Sequence, residues 1–296
     1  TPLSRLIESH LIPYHLYADD TMLYLTSSPE NFHLAKIDIE KCSLDIKNWM
    51  GDNFLKLNED KTEAILIGAD RNTKKITDEY ITVAGTNIQL SDSVRYLGLK
   101  IDRQLSLDKH VSHTISAAHL HLRRIASIRH CLTKSSTTTL VVTLVLSLLD
   151  YCNSALAGAS QKQLHRLQRL QNIGARVVER PPRRAHMTPI LRSLHWLPVQ
   201  KRILYKLLCV VFRCVTDSAP IYLKELLEDY KPVRDLRSSS KMILNVPKTM
   251  TKAYGNRSFS FAGPKCWNII PEKLRKSLSL KDFKKGLKTY LFNVET

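Results

Sequence analysis

A chain of 296 residues with 43% hydrophobic and 24% charged residues has the make-up of a folded protein of about two domains, which excludes a disordered, fibrous or low-complexity chain. Lys and Arg outnumber Asp and Glu by 45 to 27, a net charge of +18, and the excess is one-sided: residues 1–100 hold 11 basic and 15 acidic residues (−4), residues 101–296 hold 34 and 12 (+22). Such asymmetry calls for a polyanionic partner for the second part, while six cysteines without a C-x-x-C pair argue against a disulfide framework or zinc ribbon.

No secretory signal opens the chain, and Thr1 in place of Met marks a truncation or gene-model edge. The expected location is intracellular, in nucleus and cytoplasm, not secreted. No membrane partner is expected either, because the longest apolar run, Leu140 to Leu149, falls well short of the roughly 20 residues that span a bilayer.

In chain order, His15 to Thr26 (H-L-Y-A-D-D-T-M-L-Y-L-T) reads as two short β-rich runs around an acidic pair, a hairpin signature. Ala35, Ile39, Cys42, Ile46 and Trp49 then recur every three to four residues, predicting a helix from Phe32 to Trp49 that Gly51 ends. Leu55 and Leu57 alternate before a polar turn at Asn58 to Lys61, and Ala64 to Ile67 resume an apolar run, which predicts a second hairpin. Residues 70–79 read as a polar loop, Tyr80 to Leu90 as a strand pair around Gly85-Thr86, and residues 94–102 as a strand bent at Gly98.

After Asp102 the pattern becomes helical. Leu107 to Leu132 places Val111, Ile115, Ala118, Leu122 and Ile125 on one face, and Ser136 to Ala157 is apolar on nearly all sides, the expected buried centre of a bundle. Ser160 caps a third helix with a core face of Leu164, Leu167, Gln171, Gly174 and Val178, stopped by Pro181-Pro182. Its other faces carry Lys162, Arg166, Arg169, Arg176 and Arg180, followed by Arg183 and Arg184. Between Gln161 and Lys206 there are 11 basic residues against the single acid Glu179, unlike an ordinary solvated face, which mixes both signs. Further on, Val199 to Cys214 and Ile221 to Leu227 read as helices, Pro232 to Lys241 as a basic linker, residues 242–270 as β-structure or extended loop, and Leu280 to Phe292 as a last amphipathic helix. Cys209 and Cys214 have finger-like spacing but sit in an apolar run without a following ligand pair, so they read as buried thiols. Trp196, beside His195, Arg192, Lys201 and Arg202, is either core or a base-stacking ring, with core preferred.

Two adjacent aspartates at a hairpin bend place two carboxylates at one end of a sheet, where a divalent ion can be gripped. Nucleotidyl transfer uses such an arrangement, with two Mg²⁺ ions about 4 Å apart on the 3′-hydroxyl and the incoming triphosphate. By itself an Asp-Asp pair in a turn is most simply a turn, because Asx side chains bond locally to the backbone. Context changes that. L-Y-A-D-D-T-M-L-Y-L is followed by W-M-x-x-N-x-L-K-L-N-x-x-K-T-E and then Y-L-G. These strings in this order resemble the palm of reverse transcriptases from non-LTR retrotransposons, the long interspersed elements of the chicken-repeat and jockey-like groups. L-H-W-L-P-V-Q-x-R-I-L-Y-K and S-F-S-F-A-G-P-K-C-W-N-I-I-P resemble their C-terminal region, so the likeness covers almost the whole chain.

The resemblance implies an α+β chain: a partial polymerase palm of β-hairpins plus helix over residues 1–104, a helical thumb over 105–182, and a mixed basic C-terminal domain over 183–296. It implies that Asp19 and Asp20 bind metal, that Lys61 lies beside the triphosphate, and that Tyr17, Tyr96, Leu97 and Gly98 grip the primer. Asn58 is expected to hold its turn together. Lys162, Arg166, Arg169, Arg176, Arg180, Arg183 and Arg184 would neutralise phosphates. The implied partners are an RNA template, a DNA primer and deoxynucleoside triphosphates, with Mg²⁺ as cofactor. The family's palm also uses a further aspartate, expected upstream of Thr1, so this chain is expected not to polymerise alone. A non-catalytic nucleic-acid-binding remnant is the alternative, and an interaction scaffold a weaker third.

Overall fold

The computed structural model describes residues 1–231, 242–251 and 254–294, so the expected linker from Pro232 to Lys241 lies outside the described residues. The chain divides into two compact units, residues 1–109 and 110–296.

The first unit opens with helix α1 (Pro2–Ser9), which sequence reading had not anticipated. Thr1 and Ser4 form a capping box and Pro2 fills the first helical position, where its missing N–H costs nothing. Strands β1 (Tyr14–Tyr17) and β2 (Asp20–Leu23) form the expected antiparallel hairpin. Helix α2 (Phe32–Asp52) packs beneath it. Ile7, Ile12, Cys42 and Ile46 are buried together, and Tyr14, Leu16, Leu23, Leu25, Ile39 and Met50 close around them. Burial pushes the Cys42 thiol up to about 11, so it is a neutral core group.

α2 runs through Gly51 instead of ending there. Leu55 N–H reaches the Met50 carbonyl (2.8 Å) and Phe54 N–H the Gly51 carbonyl (3.1 Å), a Schellman closure whose left-handed position is held by Phe54 at φ 58°. The second hairpin expected around Asn58 is absent. Asn58 Oδ1 accepts from the Lys61 amide (3.2 Å), which tightens Glu59–Lys61 into a 3₁₀ turn, and Ala64 pairs with Leu90 in parallel, not with residues 55–57. Asn58 thus holds its turn as expected.

A single helical turn, α3 (Asp70–Thr73), stands in the segment read as loop. Strands β3 (Tyr80–Val83) and β4 (Thr86–Gln89) pair around Ala84-Gly85, both at positive φ (55° and 90°), as a type I′ turn requires. Residues 94–102 are likewise not one bent strand. They form a hairpin of β5 (Ser93–Tyr96) and β6 (Leu99–Asp102), because Leu97 and Gly98 both take positive φ (46° and 79°) and reverse the chain.

The helical part begins with α4 (Asp108–Ser127). His110, Val111, Thr114, Ala118, Leu122 and Ile125 are buried, close to the expected face, although the helix stops five residues before Leu132. The stretch from Ser136 is not a continuous buried helix. It divides into α5 (Lys134–Val141), a π turn (Val142–Leu146) and α6 (Ser147–Asp150). The wider turn breaks the 3.6-residue register, burying Val141, Val145, Leu146 and Leu149 while Val142 and Leu144 stay exposed.

Helix α7 (Gln161–Glu179) has the Ser160–Gln163 capping box and the expected core face. Gly174 allows close packing there: a Cβ would lie 3.1 Å from Val141 Cγ1 of α5, tighter than an ordinary contact. Arg180 ends the helix in a left-handed conformation, and Arg129 donates to the carbonyls of Leu132, Val177 and Val178 (2.7–3.1 Å), satisfying groups that a helix C-terminus leaves open.

Helices α8 (Met187–Ser193), α9 (Val199–Val215), α10 (Ile221–Lys224), α11 (Phe259–Ile269), α12 (Glu272–Arg275) and α13 (Leu280–Asn293) complete the chain. α10 is one turn, shorter than expected. Residues 259–269 correct the expectation of β or extended structure: helical spacing lets Ala262, Gly263 and Trp267 face the core despite Pro264. Trp267 belongs to an aromatic group with Phe212 and Phe283 (ring centroids 4.3–6.4 Å apart) and donates from its indole to the Met242 carbonyl. Trp196 is buried as well, as core and not a stacking ring. Among the described residues no helix is long and apolar enough to cross a membrane.

α9 docks on α7 through two glutamines. Gln171, fully buried, donates to the Leu197 carbonyl (2.9 Å) and accepts from Gln168, whose own Oε1 accepts from the Val199 amide (2.8 Å). Gln171→Ala should therefore destabilise the second unit by about 2–4 kcal/mol in urea unfolding, as a cavity and orphaned buried polar groups form together; a loss below about 0.5 kcal/mol would contradict this. Phe54 has a fully exposed side chain and a strained backbone, so Phe54→Gly should stabilise the first unit by about 0.5–1 kcal/mol in the same measurement.

Candidate catalytic hairpin and basic helix face

The β1–β2 register ends on the pair Tyr17↔Asp20, leaving Ala18 and Asp19 as a two-residue loop with Ala18 at φ 53°. Alternation along β1 turns Tyr14 and Leu16 towards the α2 core and His15 and Tyr17 outward. His15 stacks on Tyr24 at 5.4 Å, whereas the Tyr17 ring, 64% exposed, stands open beside the acids. Asp19 and Asp20 are consecutive, exposed and at the tip of a hairpin anchored from below.

A second element meets this tip. Burial, and then the charge of Asp20, raise the Tyr96 phenol above its ordinary value, so Tyr96 lies within electrostatic reach of Asp20. Lys61 is placed differently. It is exposed on the 3₁₀ turn, with its backbone held by Asn58, and among the described residues no hydrogen bond or ion pair joins it to the hairpin.

Two carboxylates supply oxygen donors of the kind Mg²⁺ prefers. Among the described residues, however, no group of three or more His, Cys, Asp or Glu side chains could hold a metal ion. Asp19 and Asp20 by themselves do not form a complete metal site.

Sequence reading missed what fixes these elements. Besides its apolar face, α2 has a polar stripe at Lys36, Glu40, Ser43 and Lys47 that holds the β3–β4 hairpin. Glu40 accepts from the Thr82 amide (2.7 Å), Ser43 Oγ accepts from the Ala84 amide (3.2 Å), and Lys47 donates to the Ala84 carbonyl (2.7 Å). Lys36 pairs with Asp78 (2.8 Å) and lies over the Tyr80 ring (4.5 Å). Lys47 also pairs with Glu59 (2.9 Å), which accepts from Thr86 Oγ1, so the Lys61 turn is tied to both α2 and β4. These contacts hold the Glu59 carboxyl below its usual range, Thr86 contributing most. The signal was present as a second helical stripe, polar where the first is apolar.

Of the seven α7-region cations, Arg166 donates to Ser112 on α4 (2.9 Å), and Arg176 to the carbonyls of Pro182 and Ala185 (3.2 and 3.1 Å). Lys162, Arg169, Arg180, Arg183 and Arg184 are exposed and in no ion pair among the described residues. Cys209 and Cys214 are buried, and burial raises both thiols.

Residues 1–101 match the family model of the reverse transcriptase (RNA-dependent DNA polymerase). No curated protein and no solved structure gives a significant match to the chain. The matched segment contains Asp19, Asp20, Lys61 and the Tyr96-Leu97-Gly98 turn, and supports reading it as part of a reverse transcriptase.

The Asp20–Tyr96 proximity has a direct readout. A negative neighbour disfavours the phenolate, so Asp20→Asn should lower the Tyr96 pKa, followed by NMR of ring-labelled tyrosine with Tyr96→Phe as the assignment control. An unmoved Tyr96 titration would separate the two elements.

Proposed function

We propose that the chain is the part of a non-LTR retrotransposon reverse transcriptase that runs from the catalytic hairpin of the palm through the thumb into the C-terminal domain. The observation that carries this reading is the exposed Asp19-Asp20 bend at the tip of the β1–β2 hairpin, inside a segment that matches the reverse transcriptase family. The reaction served is RNA-templated DNA synthesis from a primer 3′-hydroxyl. A divalent ion, held in a complete palm, would activate that hydroxyl and offset triphosphate charge.

The chain's own contributions are positional. Asp19 and Asp20 offer carboxylate oxygens at the hairpin tip, Tyr17 presents an open ring beside them, and Leu97-Gly98 would let the backbone approach a primer end. Lys61 is a cation for the triphosphate, on a turn that Lys47 and Glu59 keep in place. Residues 105–182 act as the thumb, whose exposed Lys162, Arg169, Arg180, Arg183 and Arg184 contact phosphates without reading sequence. An intracellular, nuclear and cytoplasmic location follows from that role.

With two carboxylates and no third at the bend, the chain as it stands binds template-primer but does not extend it. Purified protein with Mg²⁺, a primed RNA template and deoxynucleotides should show no incorporation; measurable extension would overturn the inactivity. The net +22 of residues 101–296 favours a second reading, a non-catalytic nucleic-acid-binding remnant. Both readings require affinity for an RNA·DNA hybrid that falls steeply with salt, by about 10³ or more between 50 and 200 mM if six or more phosphates are contacted. Flat affinity over that range would contradict both.

A further inference from the structure

Within the second unit a cleft of about 530 Å³ opens between α9, the start of α13 and residues 150–154 after α6. Lys206 and Arg213 of α9 and Lys284 of α13 line it, all exposed and in no ion pair among the described residues. Asp150, the one acid on the lining, is already matched: it accepts twice from the Arg202 guanidinium (Nε at 2.9 Å) and once from Asn153. The cleft is therefore cationic without a compensating anion of its own. Three like charges around one concavity repel each other, a cost that an anionic ligand removes.

The rest of the lining is not that of a plain phosphate hole. Tyr205, Cys209, Val210 and Leu280 form an apolar wall, and Asn153 and Ser154 add polar groups at the edge. Burial holds the Tyr205 phenol up at about 12, so the ring stays neutral. Burial also raises the Cys209 thiol, while Lys284, Lys206 and Arg213, which share the lining with it, each pull it down. Lys206 and Arg213 are two helical turns apart, about 10 Å along α9, enough to meet more than one phosphate.

We propose that this cleft binds a segment of single-stranded nucleic acid, with Lys206, Arg213 and Lys284 on its phosphates and the Tyr205 wall against a base or sugar. A flexible strand can send both backbone and bases into a concavity, whereas a duplex presents a convex rod of phosphates. Its three cations lie outside the hairpin, the thumb range and the α7 residues assigned above, so the site stands or falls separately from that reading.

The test uses the whole chain and two triple variants, Lys206→Gln/Arg213→Gln/Lys284→Gln in the cleft and Lys162→Gln/Arg169→Gln/Arg183→Gln on the α7 side. Circular dichroism checks folding, and the double variant Lys206→Gln/Lys284→Gln replaces the first triple if that unfolds. Fluorescence anisotropy follows a labelled twelve-nucleotide oligothymidylate and a labelled RNA·DNA hybrid from 50 to 200 mM KCl. The cleft triple should weaken the oligothymidylate about tenfold or more and reduce its log–log salt slope by about 2, since each single-strand phosphate contact adds about 0.7. Hybrid affinity should change less than about twofold in the cleft triple, and fall in the α7 triple. Oligothymidylate binding unchanged in the cleft triple would overturn the site. Displacement of the oligonucleotide by equal nucleotide concentrations of AMP would overturn the assignment to a strand in favour of a free nucleotide.

Discussion

The first unit depends on α2 docking two hairpins with two different kinds of force. One face buries Cys42 and Ile46 against Ile7 and Ile12, and the inner residues of β1 and β2 close over them. Each fully buried aliphatic side chain contributes on the order of 1.5–3 kcal/mol, and the attachment is non-directional. The other face holds the β3–β4 hairpin by hydrogen bonds to specific backbone groups, Glu40 and Ser43 accepting from the Thr82 and Ala84 amides and Lys47 donating to the Ala84 carbonyl, which is directional and fixes register. A two-stranded ribbon is marginal in water. Three such ribbons occur in this unit, each paired only within itself, and α2 supplies the support for β1–β2 and β3–β4. The acidic bend is anchored through its roots, not through contacts at its tip.

A different constraint organises the second unit. Its core around Phe212, Trp267, Phe283 and Leu287 is apolar, yet the entry to α9 is fixed by the polar pair Gln168 and Gln171. Buried amides that are fully paired specify one docking geometry where apolar packing alone would accept several. With interior polar groups largely engaged in this way, cations accumulate at the surface. Arg129, Arg166 and Arg176 are spent on carbonyls and a hydroxyl and Lys201 donates to the Val294 carbonyl, whereas the exposed cations in no ion pair among the described residues include those along and after α7 and around the α9–α13 cleft. The unit's positive charge therefore has two parts, one structural and one open to ligands.

Legibility in the sequence followed the range of the interactions. The Asp19-Asp20 hairpin, the α2 and α4 faces and the Ser160 cap were readable because they depend on residues within one or two turns of each other. The family string at residues 16–25 carried the functional reading, which composition alone would have left at a basic polyanion binder. What failed depended on distant partners or on backbone conformations that the residue type disfavours. Phe54 and Leu97 occupy left-handed positions where Gly is usual, so the α2 end and the β5–β6 turn gave no local sign. Ala64 found Leu90 instead of its neighbours, and Trp267 drew residues 259–269 into a helix through contacts with residues 16 or more positions away (283 − 267). The α2 polar stripe was visible as a pattern, but its hydrogen-bond partners lie some 40 residues on.

On the proposed function, the acidic bend presents two carboxylates for nucleotidyl transfer. The most direct test of that role joins residues 1–296 to the fingers and first palm strands of a non-LTR reverse transcriptase and measures RNA-templated primer extension with and without Asp19→Asn and Asp20→Asn. The substitutions should cost about 10³ or more in rate, the equivalent of roughly 4 kcal/mol of charge stabilisation at the reacting phosphate. Extension by the doubly substituted enzyme at the unsubstituted rate would contradict it.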